Sequence, residues 1–95
     1  MKVYNTEIHA LGNSKYKLRY PLLVTMEEHE DEVVASIPEF GLYGAAVSED
    51  LALMKLKDEI VSTYERLLEL GGNNLGRLAK GCLIAMQAVI MEATR

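Results

Sequence analysis

Tryptophan is absent from this 95-residue chain, and phenylalanine and cysteine occur once each. The lone Cys82 excludes an internal disulfide and a thiolate metal cluster within one chain, so a reducing, cytoplasmic setting is expected. Basic charge is scarce: ten Lys and Arg stand against fourteen Asp and Glu, a net charge of −4. Phosphate neutralisation needs clustered cations, so direct nucleic-acid binding is not expected. The apolar run from Leu83 to Met91 is interrupted by Gln87 and has about half the length of a membrane span. Met1 to Glu7 lacks the apolar stretch of a signal peptide, and neither export nor a membrane is expected. Internal repeats and low-complexity tracts are missing, which leaves one domain over residues 1–95.

What the chain does have is apolar residues, 49% of the total. A domain this small buries only about two-thirds of its unfolded surface. Surplus apolar surface predicts a homo-oligomer, a dimer or tetramer. Tyr16, Leu18 and Tyr20 alternate with Lys15, Lys17 and Arg19, a strand pattern that Pro21 interrupts before Leu22 to Met26 resumes it. An acidic loop from Glu27 to Glu32 follows, then a paired strand from Val33 to Ile37 that ends at Pro38. Tyr43 to Val47 reads as a third strand. Val3 to Ile8 alternates weakly, and whether residues 1–9 join the sheet stays open.

Ser48 is suited to cap a helix, with Glu49 and Asp50 placing negative charge at its N-terminus. Leu53, Leu56, Ile60, Tyr64 and Leu67 share one face at helical spacing, flanked by Met54, Val61 and Leu68. Gly71-Gly72 supplies the stop, and Asn73 or Asn74 can cap a second helix. The expected architecture is α+β. A three- to four-stranded antiparallel sheet is packed by a long helix (β-β-β-α, core about 16–72), with a C-terminal apolar helix over about 74–94. In that helix Leu78, Cys82, Met86, Val89 and Ile90 fall on one face and form the candidate oligomer interface. Residues 83–91 read as helix or as strand, because a short apolar run does not settle its own period.

Candidate chemistry is thin. The run Glu27-Glu28-His29-Glu30-Asp31-Glu32 lacks the glycine hinge and alternating oxygens of a calcium loop, and His9 stands far from His29 in the chain. Cys82 on an apolar face behaves as a small hydrophobe. Ser48 is accounted for by capping, and Gly41-Leu42-Tyr43-Gly44 lacks the lysine of a phosphate loop. No catalytic residue, cofactor or metal is assigned, and the chain is expected not to be an enzyme.

Between Tyr20 and Leu70 the chain resembles a HicB-type antitoxin domain. That family carries a strand ending in Pro-Asp-Leu-Pro-Gly, a short strand, then Gly-Asp-Thr and an alanine-rich helix. Pro38-Glu39-Phe40-Gly41 is similar to the first element with one proline deleted. Ser48 takes the threonine cap position, and Ala52-Leu53 followed by Lys57-Asp58-Glu59-Ile60 resembles the helix, while Ala46 stands in place of the family glycine. The resemblance implies a truncated ribonuclease H-like fold without catalytic acids, and binding to a small basic HicA-like toxin that cleaves mRNA. Glu27, Glu28, Glu30, Asp31 and Glu32 are the candidate partner-binding residues. Longer members repress their own operon through a C-terminal DNA-binding segment. Here that segment offers only Arg77, Lys80 and Arg95. The alternative is a small-ligand-binding or regulatory oligomeric domain with a pocket near Phe40, Tyr43 and Tyr64; a hydrolytic enzyme ranks last.

Overall fold

The structure, a computed structural model, describes residues 1–93. It is α+β, with a four-stranded antiparallel sheet in the order β1-β3-β4-β5 and a separate two-stranded ribbon of β2 and β6. The sheet strands are β1 (Lys2–Ile8), β3 (Leu22–Glu28), β4 (Val33–Ile37) and β5 (Leu42–Ala46). The ribbon strands are β2 (Tyr16–Leu18) and β6 (Ile90–Glu92). The two helices are α1 (Glu49–Leu70) and α2 (Arg77–Val89).

The inner face of the sheet follows the two-residue period of strands. Leu22, Val24 and Met26 of β3 are buried, as are Ala35 and Ile37 of β4 and Gly44 of β5. α1 lays Ala52, Leu56, Ile60, Tyr64 and Leu67 against this layer. The outer face is wet and mixed: the register aligns Val3, Glu27, Val34 and Ala45 across the four strands. One packed and one solvated face is the ordinary state of an antiparallel sheet.

Local chemistry sets the turns. Ser48 Oγ accepts from the Leu51 N–H at 3.3 Å and starts α1, while Gly71, at φ 79°, ends it by donating to Leu67 O. The β4–β5 hairpin closes through N–H groups of Phe40 and Gly41, both donating to Ile37 O at 3.1 Å, and Gly41 takes the left-handed φ of 67°.

Several expectations need correction. β1 is a full edge strand, which answers the open question about residues 1–9. Tyr16–Leu18 does not join the sheet; it pairs with Ile90–Glu92 at the other end of the chain. The C-terminal segment is helix to Val89 and strand from Ile90, because Ile90 passes from the end of α2 directly into the ribbon. Asn73 and Asn74 lie in a 3-10 turn rather than capping α2, and Asn74 Nδ2 donates back to Leu70 O at 2.9 Å. Glu27 and Glu28 belong to β3, so the acidic loop proper is His29 to Glu32.

α1 and β5 approach each other closely at Gly44. A Cβ at Gly44 would lie 2.5 Å from Leu56 N and 2.7 Å from Ala52 O, both backbone atoms. The contrast is Gly81 in α2, where a Cβ meets nothing within 4 Å. Gly44→Ala is expected to destabilise the chain by about 1–3 kcal/mol through overpacking. Gly81→Ala should stabilise it by about 0.5–1 kcal/mol through helix propensity. Urea midpoints of the two variants check both signs; a neutral Gly44→Ala would contradict the close approach.

Candidate protein-interaction site

The expected oligomer face does not survive folding as a unit. Met86, Val89 and Ile90 are buried in the chain's own core, against the layer that includes Leu67 and Leu83. They are already removed from water, so they cannot also be the surface a second copy covers. Cys82 is half-buried and its thiol donates to Phe40 O at 3.7 Å. Burial pushes that thiol's pKa up, away from a reactive thiolate. Only Leu78, 89% exposed, remains outside, with Ile84 at 61%. The reason is longitudinal: Leu78 lies on the same side of α2 as Val89, but in the first turn, which holds no buried residue, and burial begins only at Leu83.

The acidic residues converge more than a solvated loop requires. Glu28 is half-buried, and its Oε2 lies 3.1 Å from the Tyr4 hydroxyl. Glu49, at the start of α1, takes a hydrogen bond from the same hydroxyl. One proton serves one carboxylate at a time, so Tyr4 can donate to either of two acids that meet from different elements at one end of the sheet. The β3–β4 hairpin closes at that end through the His29 N–H, which donates to Glu32 O at 2.8 Å. His29 Nε2 stands 3.2 Å from Glu27 Oε1. Of the five predicted partner-binding residues, Glu28 is committed to Tyr4 and Glu27 to His29, while Glu30, Asp31 and Glu32 project from the turn. Glu49 and Tyr4 are additions that sequence reasoning missed. In the sequence the helix terminus alone accounts for Glu49, and Tyr4 sits in a stretch with weak alternation. His9 lies beyond the opposite end of β1, because the register pairs Lys2 with Glu28 and Ile8 with Leu22.

The three aromatic residues considered for a ligand pocket do not line one together. Phe40 and Tyr64 are core residues, while Tyr43 is 65% exposed on β5. Tyr43 lines an open groove of about 500 Å³ beside the sheet edge, walled by Lys55, Asp58 and Glu59 of α1. A second groove of about 390 Å³ runs on the other side of α1, between Leu11 and Leu53, Met54 and Lys57. Among the described residues no group of three or more His, Cys, Asp and Glu is placed to hold a metal ion. No helix of the described residues is long and apolar enough to cross a membrane.

A different polar cluster ties the ribbon to α1. The Tyr16 hydroxyl donates to Glu65 Oε2 at 2.9 Å, Lys15 Nζ is 3.5 Å from the same oxygen, and the Tyr16 and Tyr64 rings meet edge to face at 5.5 Å. With this geometry in view, comparison with protein-family models, curated proteins and solved structures yields no match for the chain.

Burial, and then the Glu65 hydrogen bond, push the Tyr16 pKa up to about 12 from an ordinary 10.0. Burial raises Tyr64 as well. Below pH 10 folded and unfolded chains both keep the Tyr16 proton. Between about pH 10 and 12 the unfolded chain loses it first, so stability falls as pH rises through that window. Tyr16→Phe should make this alkaline decline shallower in urea titrations at stepped pH. A variant declining as steeply as the parent would contradict the assignment.

Proposed function

We propose that the chain is a non-catalytic protein-interaction module of the HicB-like antitoxin kind, which binds and neutralises a small basic, mRNA-cleaving protein. Three antiparallel strands followed by a long helix, β3-β4-β5-α1, agree with the order that the resemblance implies. The observation that carries the partner's chemistry is the acidic end of the sheet. There Tyr4 gathers Glu28 and Glu49, and the turn presents Glu30, Asp31 and Glu32.

Carboxylates brought together from β3, the turn and α1 concentrate negative charge at this end of the sheet. Such a surface attracts a cationic partner from a distance, orients it on encounter and disfavours acidic competitors. A nuclease that must grip an RNA backbone carries clustered cations, and these are what an acidic surface can cover. Neutralisation of such an enzyme in the cytoplasm needs binding alone and no turnover.

The reading expects a neighbouring gene for a small basic protein, and co-expression of this chain should relieve the growth arrest which that protein causes. Continued arrest with the intact chain present would contradict the reading. The triple change Glu30→Gln, Asp31→Asn, Glu32→Gln should slow association with that protein by roughly tenfold at low salt and much less at high salt. Stopped-flow measurement at two ionic strengths reads this directly.

A further inference from the structure

The four-stranded sheet has two open edges, and they are built differently. The β1 edge carries Lys2 and Glu7, the kind of charge that blunts unwanted strand pairing. The β5 edge, Leu42-Tyr43-Gly44-Ala45-Ala46, has no charged residue and no proline. Among the described residues no strand pairs with its outer side, so a row of backbone donors and acceptors is left to water. Small residues at three successive positions, Gly44 to Ala46, put little side-chain bulk in the way of an incoming backbone. Tyr43, exposed on this strand, and Val47, exposed just past its end, add apolar surface.

The groove beside this edge says what fits there. Its helical wall carries Lys55 with Asp58 and Glu59, both signs within about one turn. Among the described residues Lys55 makes no ion pair. Lys55 preceding Glu59 by four is also the poorer orientation for a pair along one helix. A wall with both signs is self-complementary under a two-fold axis. Two β5 strands paired antiparallel lie about an axis normal to the sheet, which brings two copies of α1 side by side and reversed. Lys55 of each copy then faces Asp58 and Glu59 of the other.

We propose that the β5 edge is a self-association surface whose occupant is the β5 edge of a second copy. The two sheets join there into one continuous eight-stranded sheet, four strands from each copy. The surface is separate from the acidic turn, so it stands whether or not the basic partner is as proposed above.

Sedimentation velocity on the full chain over a wide concentration range tests it. The parent chain should form a dimer, and Lys55→Glu and the double change Asp58→Lys, Glu59→Lys should each raise the dimer dissociation constant by about tenfold or more. Circular dichroism confirms that each variant is folded. Mixing the two variants in equal amounts should restore dimer, because opposite charges face each other again in the mixed pair. Amide exchange over Leu42 to Ala46 should slow as concentration rises. A parent chain that stays monomeric overturns the proposal, as does a dimer that persists in both charge variants. A dimer lost only on Leu78→Asp with Ile84→Asp would assign association to α2 and overturn it equally, as would a mixture that stays monomeric.

Discussion

The close approach of α1 to Gly44 is the constraint on which the rest of the molecule depends. Helix backbone at Ala52 and Leu56 comes so near the sheet that no side chain can stand between them. Dispersion falls off within an ångström or so, and seating a helix this low lets short side chains make a dense layer. Ala35, which pairs with Gly44 across β4 and β5, and Ala52 above them are both fully buried. With one phenylalanine and no tryptophan, the chain fills its thin core by bringing backbones together rather than by inserting large rings.

Seating α1 over β5 also determines what the other elements must do. The far half of the helix, Tyr64 and Leu67, needs cover that the sheet does not give. Leu83, Met86 and Val89 of α2 join the same core cluster, and the β2–β6 ribbon brings Tyr16 edge-on to Tyr64. The ribbon joins residues about 74 apart in sequence, closed by Arg19 N donating to Val89 O and Ala93 N to Lys15 O. A pairing of such long range gains its hydrogen bonds only after the intervening chain is ordered. Glu65 then serves as a latch, accepting from Tyr16 beside Lys15.

This division between local and distant contacts explains what the sequence made legible. The alternation of Leu22, Val24 and Met26, the run Val33 to Ile37 and the Ser48 cap are local signals, and β3, β4, β5 and α1 appear within a residue or two of expectation. The partner of Tyr16–Leu18 has no local signal. A three-residue strand reads the same whether its mate is the next hairpin arm or the end of the chain. The α2 face failed for a related reason. The wheel places Leu78, Cys82, Met86 and Val89 on one apolar stripe, but it carries no information on whether the chain's own core or a second copy covers that stripe. Gly44 was readable as a glycine but not as a contact, since the clash it avoids comes from residues 52 and 56 on another element. For the acidic site the composition of the turn was visible, whereas the gathering of Glu28 and Glu49 at Tyr4 depended on β1 being a full strand.

The apolar surplus that the composition announced is reduced by folding and is unequally distributed. Leu78 and Ile84 stand on a helix whose backbone bonds are closed within itself. Methyl groups there attract any apolar surface without fixing its angle or register, because burial of area is non-directional. Tyr43 and Val47 stand beside strand amides and carbonyls that no other strand of the described residues pairs. At such an edge each hydrogen bond dictates where the next must fall, and a one-residue slip would turn every side chain to the wrong face. Apolar area supplies attraction in both places, but only the edge couples it to a ladder that selects one geometry. Specific association therefore has a stronger physical basis at β5 than on α2, although α2 carries the more exposed side chain.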